Sequence, residues 1–358
     1  METYARELIP ALLDAEPGLR VTSFVNREAH GTAGPWSDLV EQVLVPVRAR
    51  RRTEWVRGEQ LLLPRLAARA GVDVLHSLAS TAPSWGKFRR VVTIHDLIYR
   101  IYPEAHFGLR AKGMRLLVPR AARRSDRIIA PSRCTRDDLI RLLGVPAAKI
   151  DVIPEGVRAE APVATPESDV RARYAFADRD VVLTVSALRP HKNLRRLLEA
   201  WALLPVERRP LLVLAGYSNA HEAELRARAA ELGVSEDTRF VGWVPAADLE
   251  GLYRLASCFV FPSLYEGFGL PVLEAMARGV PVACSDRGAL REVAGDAARI
   301  FDPESPRSIA NAVEELRQDA ALAAKLRAAG LERASRFTWA ETARATVRSY
   351  EAALESAA

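Results

Sequence analysis

The stretch Cys258-Phe-Val-Phe-Pro-Ser-Leu-Tyr-Glu-Gly-Phe-Gly-Leu-Pro-Val-Leu-Glu274 decides the fold. An apolar, strand-like run over Cys258–Phe261 passes through a short turn into an apolar helical pattern. Pro271 has the fixed φ that suits a helix's first position, and Gly279-Val-Pro281 supplies the stop. The backbone N–H groups of Gly267 to Leu270 therefore lie at or just before a helix N-terminus. There the free donors and the helix dipole can hold a phosphate or sugar oxygen. Two carboxylates bracket this cradle, Glu266 before the turn and Glu274 in the first helical turn, and a carboxylate accepts well from the vicinal hydroxyls of a ribose or hexose. Standing alone, the same letters also fit an ordinary helix with acidic first residues.

The strand-to-helix unit recurs on both sides. Upstream, strand-like runs are Val21–Val25, Val43–Val45, Val74–His76, Val91–His95, Arg127–Ala130 and Asp151–Pro154, with amphipathic stretches such as Gln60–Ala70 and Lys112–Arg123 between them. Short apolar runs alternating with helices indicate a parallel, doubly wound sheet. Ala159 to Ser168, rich in Pro and small residues without an apolar period, reads as a linker. The alternation then restarts, with strands at Val181–Val185, Leu211–Ala215, Thr238–Val241, Cys258–Phe261, Val280–Ala283 and Arg299–Phe301. Helices are expected at Leu194–Leu204, Glu222–Leu232, Asp248–Leu255, Pro271–Arg278, Ser308–Gln318, Ala320–Ala329 and Trp339–Glu355. The expected organisation is a first domain over residues 1–160, a linker over 161–170, a second domain over 171–338 and a last helix over 339–358.

A chain of 358 residues exceeds one ordinary core, so two domains agree with its length. No run of about 18 uncharged apolar residues is present. The first 20 residues carry Glu2, Glu7, Asp14 and Glu16, which is not a secretory signal, and the expected location is the cytoplasm. Cys134, Cys258 and Cys284 lack metal-ligand spacing and read as buried thiols of a reducing compartment. The net charge of +6 is uneven. Residues 48–127 hold 18 basic and 6 acidic side chains, an asymmetry that suggests an anionic partner such as the inner face of a membrane. A nucleic acid is not expected, because the basic region has no interleaved aromatics and matches no known module.

Ser186-Ala-Leu-Arg-Pro-His-Lys-Asn-Leu194 follows the strand at Val181–Val185. Arg189 and Lys192 can serve one anion, the first with a planar fork and the second as a point charge, while Asn193 can cap the next helix. His95-Asp96 ends the strand Val91–His95, where the His could meet a sugar hydroxyl or form a structural pair with Asp96. Asp178-Arg-Asp180 has the letters of a metal motif but precedes a strand, so it reads as a solvated turn. All three motifs, at His95, Arg189 and Glu266, follow strands, as ligand-binding residues do in open α/β sheets.

These residues together resemble the large family of retaining glycosyltransferases of the GT-B fold that includes bacterial mannosyl- and glucosyltransferases of cell-surface polysaccharides. The resemblance is carried by Thr93-Ile-His-Asp-Leu97, Ala130-Pro-Ser-Arg-Cys-Thr135, Val152-Ile-Pro-Glu-Gly-Val157, Leu188-Arg-Pro-His-Lys-Asn193, Phe240-Val-Gly-Trp-Val244, Pro262 to Pro271 and Phe337-Thr-Trp339. It implies two Rossmann-like domains facing a cleft and metal-independent, retaining transfer of a hexose from a nucleotide diphosphate sugar. The mannosyltransferase-like branch and a GDP-sugar, favoured over a UDP-sugar, look nearest. By that resemblance Arg189 and Lys192 hold the donor diphosphate and Glu274 takes the ribose hydroxyls. Glu266 with the backbone of Phe268, Gly269 and Leu270 takes the sugar hydroxyls, His95 lies at the reacting face, and the segment around Val244 meets the base. No metal or other cofactor is implied. The acceptor would be a glycan or a lipid-linked glycan, and the last helix, with Trp339, would cross back to the first domain.

Two departures stand out. The family often has I-P-N-G-V-D where this chain has Ile153-Pro-Glu-Gly-Val-Arg158, which puts an acceptor role there in doubt. The first strand and its Gly-rich turn are missing before the helix-like Tyr4–Leu13. The expectation is therefore that Met1 is an internal methionine and that Val21–Val25 and Val74–His76 flank the missing strand. Alternatives on the same fold are a sugar-nucleotide epimerase, a phosphorylase (for which none of the five lysines has a recognisable pyridoxal setting) and a non-catalytic sugar-nucleotide-binding chain.

Overall fold

The computed structural model describes residues 2–31, 38–103, 108–158 and 163–355. It divides into two compact units, Met1–Gly156 with Thr338–Ala358, and Val157–Phe337. Met1 and residues 161–162 of the expected linker lie outside the described residues.

In the first unit the strands are β1 (Thr22–Val25), β2 (Glu41–Leu44), β3 (Val74–Ser77), β4 (Arg89–Thr93), β5 (Arg127–Ala130) and β6 (Ile150–Val152). β3 to β6 form one parallel sheet in chain order, and β1 pairs with β2 in a separate parallel ladder. The two strands expected to flank a missing one, β1 and β3, share no ladder among the described residues, although Phe24 packs against Ala67, Leu75 and Phe88. Parallel strands covered on both faces need apolar residues at consecutive positions. Val91, Val92, Ile128 and Ile129 show this, each wholly buried. Val92 and Ile128 face Val118, Ala122 and Leu139, while Val91 and Ile129 face Ile153, Tyr350 and Ala353. The helix Trp339–Glu355 thus belongs to the first unit. It also packs on the helix Glu2–Ala15 through Tyr4, Leu8, Leu12, Trp339 and Ala343.

The second unit carries β7 (Val181–Val185), β8 (Leu211–Ala215), β9 (Thr238–Gly242), β10 (Cys258–Phe261), β11 (Val282–Ser285) and β12 (Arg299–Phe301). They form one parallel sheet in the order β12-β11-β10-β7-β8-β9. Counted within the unit this is 6-5-4-1-2-3, the doubly wound order, and the order reverses between β7 and β10. Val182, Leu212, Leu214, Cys258 and Val260 pack with Leu197, Leu198, Trp201 and Val313 on one face. Burial pushes the thiols of Cys258 and Cys284 up to about 12, so both stay protonated packing residues, and no disulfide forms among the described residues.

Several element boundaries differ from expectation. Helix Glu167–Tyr174 occupies residues expected in the linker, because Asp248 accepts from Thr165, Arg173 and Tyr174, each at 2.6 Å, and holds it to the unit. Asp180 of the expected solvated turn is paired with Arg317 at 2.7 Å. β11 begins at Val282, past Pro281, which lacks the N–H a ladder needs. Among the described residues, no helix is long and apolar enough to cross a membrane.

Leu8 is 1% exposed and sits in the cluster that joins the first and last helices. Leu8→Ala should lower unfolding free energy by about 2–5 kcal/mol, read from denaturant midpoints. Leu331→Ala, at a position 46% exposed, should shift it by no more than about 0.5 kcal/mol.

Candidate functional site

The reversal point between β7 and β10 places two loops side by side in the second unit. After β7, Pro190–Lys192 form a 3₁₀ turn and Asn193 takes a left-handed conformation, φ +60°. After β10, Pro262 to Gly269 lead into the helix Leu270–Ala277. Three interactions join the loops. Leu264 N donates to His191 O at 2.8 Å. The buried Asn193 amide donates to Pro262 O at 3.1 Å and to Pro303 O at 2.7 Å. Lys192 Nζ donates to Glu266 Oε1 at 2.6 Å and lies 5.4 Å from the centroid of the Phe261 ring. Lys192 and Glu266, expected to hold different parts of one ligand, are thus already in contact, with side chains 16% and 11% exposed.

Asn193 corrects an expectation. It makes no side-chain cap on the helix Leu194–Ala202; its Nδ2 is spent tethering the loop. Asn is among the residues that tolerate a left-handed backbone.

Arg189 is half-buried with an extended backbone, and its guanidinium has no hydrogen-bond or ion-pair partner among the described residues. The helix Leu270–Ala277 opens on Gly269 at φ +120° without a side-chain cap. A Cβ there would come within 2.7 Å of Leu290 Cδ2, so both conformation and space call for glycine. The N–H groups of Phe268, Gly269 and Leu270 have no acceptor among the described residues. These are the uncapped donors of a helix start. The Phe268 ring is buried, edge-on to Phe337 at 6.0 Å.

Glu274 lies in the second turn of that helix, not in the first as expected, and Tyr253 Oη donates to its Oε2 at 3.1 Å. Tyr253 is 1% exposed; burial first, then the charge of Glu274, pushes its phenol well above the usual range, so it stays a donor. Arg278 stacks on the Tyr253 ring at 5.1 Å, pairs with Glu250 and donates to Glu274 O at 3.0 Å. The sequence offered no signal for Tyr253: its partner lies 21 residues away on another helix. Val244 is buried after β9, following the left-handed Gly242 and the exposed Trp243.

His95 belongs to the first unit and is described within it. It follows β4, but its carboxylate partner is Glu155, after β6, at 2.9 Å from Nδ1, and its Nε2 lies 3.0 Å from Leu78 O. Asp96, the partner sequence offered, instead accepts from Ile98 N at 2.9 Å and starts the short helix Ile98–Ile101. Beside it, His76 reaches the hydroxyls of Tyr350 and Thr93, both at 2.8 Å. Burial, helped by the charge of His95, lowers the His76 pKa to about 3.

The Asn193 tether gives a direct test. Asn193→Ala removes two buried donors and leaves alanine at positive φ, so it should cost about 2–4 kcal/mol of stability. Asn193→Gly should recover about 1 kcal/mol of that loss by relieving the backbone alone, both read by chemical denaturation.

Comparison with known proteins agrees with this architecture. Residues 1–161 match the family model described as Glycosyltransferase Family 4, and residues 167–333 match Glycosyl transferases group 1. The O-antigen chain mannosyltransferase B of Escherichia coli is 35% identical over 275 residues, which is 74% of this chain and 70% of that protein. The D-inositol 3-phosphate glycosyltransferase of Thermobispora bispora is 30% identical over 380 residues, 98% of this chain and 84% of that protein. In fold, the chain is similar to sucrose-phosphate synthase from Thermosynechococcus elongatus, with a TM-score of 0.81 over 99% of this chain and 94% of that one, at 24% identity. The chain belongs to the glycosyl transferases group 1 family: it is a glycosyltransferase with the two-domain, parallel-sheet α/β fold of the GT-B enzymes.

Proposed function

We propose that this glycosyltransferase moves a hexose, mannose before others, from a nucleotide diphosphate sugar to a glycan or lipid-linked acceptor in the synthesis of a cell-surface polysaccharide. The observation that carries the reading is the group at the reversal point of the second sheet: a guanidinium at Arg189 and backbone donors at Phe268 to Leu270 that have no partner among the described residues, with an ammonium at Lys192. A diphosphate is the ligand that uses cations and helix-start N–H groups together. The similarity to the O-antigen chain mannosyltransferase supports the sugar and the pathway class.

On this reading Arg189 and Lys192 take the donor diphosphate and stabilise it as a leaving group, so no metal is required. Glu266 exchanges its bond with Lys192 for sugar hydroxyls, and Glu274, oriented by Tyr253, accepts from the ribose. The backbone around Val244 meets the base, with guanine favoured over uracil. His95 meets a sugar hydroxyl, and transfer retains the anomeric configuration, the leaving phosphate oxygen accepting the acceptor's proton as the new glycosidic bond forms on the same face.

Arg189→Ala or Lys192→Ala should lower kcat by roughly 10²-fold or more, the scale for losing a preorganised charge donor, with the fold unchanged by circular dichroism. Near-normal turnover in both would reject the diphosphate site. Glu274→Ala should mainly weaken binding of the nucleoside diphosphate, because ribose contacts are alike in ground and transition states; unchanged calorimetric affinity would make Glu274 structural.

The basic region of the first unit supports peripheral contact with an anionic membrane from the cytoplasmic side. Leu61, Trp85 and Leu116 are exposed there, Arg65 lies 5.7 Å from the centre of the Trp85 ring, and Arg120 donates to Ser84 at 2.6 Å. Each basic side chain near an anionic leaflet contributes about 1 kcal/mol, so co-sedimentation with phosphatidylserine vesicles should occur at low salt and fade as salt rises. Binding indifferent to both lipid charge and salt would make the excess of arginine compositional.

A further inference from the structure

The His95–Glu155 contact favours one protonation state of the ring. A carbonyl oxygen only accepts, so His95 Nε2 must carry a proton toward Leu78 O, and the Glu155 carboxylate accepts from Nδ1. A ring that donates from both nitrogens is an imidazolium. Among the described residues the groups facing it are Glu155, Tyr4 of the helix Glu2–Ala15, which stands edge-on at 5.0 Å, and His76 of β3. Glu155 alone among these supplies opposite charge. Burial works against the charged ring, but the hydrogen bond and charge of Glu155, with the Leu78 carbonyl, outweigh it, and His95 titrates above its ordinary 6.5. The His76 ring, whose partners are hydroxyls, stays neutral.

Glu155 is also held in place. It is 8% exposed. On one side of it Thr342 Oγ1 donates to Pro154 O at 2.8 Å. On the other, the Gly156 backbone lies so near the last helix that a Cβ would sit 2.3 Å from Trp339 N. The segment that departs from the family's I-P-N-G-V-D pattern is therefore a rigid mount for a carboxylate aimed at His95.

We propose that Glu155 is a positioning residue for glycosyl transfer: it holds His95 as a cation in one ring orientation, leaving Nε2 as the nitrogen that exchanges the Leu78 carbonyl for a substrate hydroxyl oxygen. This rests on the reading of His95 as a hydroxyl-binding residue. The exchange swaps one hydrogen bond for another; Nδ1 stays on Glu155, so the ring meets the substrate as a donor and cannot serve as a base. An asparagine at this position would accept from Nδ1 but bring no charge. The imidazolium is fully formed below 6.5 and is lost as pH rises through the raised value.

The test uses the full chain with ring-labelled histidine, His95 being assigned from the signal lost in His95→Gln. Wild-type His95 should titrate above 6.5, Glu155→Gln should bring it to 6.5 or lower, and Glu155→Asp should keep it raised. In transfer assays Glu155→Gln should lower kcat about tenfold on the alkaline limb, change donor KM less than about twofold, and move that limb toward acid by the same interval as the titration. Glu155→Asp should recover most of the wild-type profile. A wild-type ring that is neutral at neutral pH overturns the proposal without any variant. So does a His95 titration, or an alkaline limb, that Glu155→Gln leaves in place while wild type transfers sugar. Absence of transfer from every donor, with the titration shifted as expected, would instead overturn the functional reading of the site and this role with it.

Discussion

The ion pair between Lys192 and Glu266 joins the ends of the two strands where the sheet of the second unit reverses order, and the arrangement of the candidate site depends on it. Taking two charges largely out of water costs several kcal/mol per ion, and a well-packed apolar pair is often at least as stable. The pair therefore needs compensation, and the loops supply it. The Phe261 ring lies under the ammonium, Leu264 N bonds to the loop that carries Lys192, and the Asn193 amide fixes that loop to Pro262 and Pro303. Such an arrangement makes more sense as a holding state for a ligand than as a source of stability. On the proposed reading, a diphosphate sugar would offer the lysine an anion and the glutamate hydroxyl donors, so both charges would gain a partner as their mutual bond opened.

The sheets were legible because parallel strands buried on both faces leave a plain record of consecutive apolar residues. All six strands of the second unit overlap the expected runs, and so does the helix that follows β10. Errors gathered where local composition and tertiary demand part. Glu167–Tyr174 is polar and barely amphipathic, so nothing local marks it as a helix; the buried Asp248, more than 70 residues away, holds it. The helix Arg133–Leu143 did leave signals: Ser132 caps Thr135 N, and Gly144 follows in a left-handed conformation. In the sequence, Ser132 and Thr135 read as part of a family motif and Gly144 carries no reading of its own.

At the candidate site, the residues that carry charge were legible and their partners were not. A charge at the end of a strand announces itself by position. Which group neutralises or orients it depends on loops brought together by folding. His95 had Asp96 as its neighbour in sequence, yet the sheet sets Glu155 against it from two strands over, while Asp96 turns back to start a helix. Tyr253 orients Glu274 from a different helix. Asn193, well placed to cap, is a tether: its amide donates to Pro262 O and Pro303 O.

In each unit, then, the same division of labour recurs. The parallel sheet fixes where a strand ends, and a short loop there presents an ionisable side chain. A second loop or helix, remote in sequence, sets that side chain's charge or direction. Changes at the second position alter the behaviour of the first without touching a ligand, which gives a family of one fold room to vary its chemistry by exchanging single partners. The Glu155 carboxylate puts one negative charge next to His95, whose other acceptor is the Leu78 carbonyl, and that charge favours the cationic ring. His76, which lies nearby between two hydroxyls, goes the other way: burial, helped by the charge of His95, favours its neutral ring.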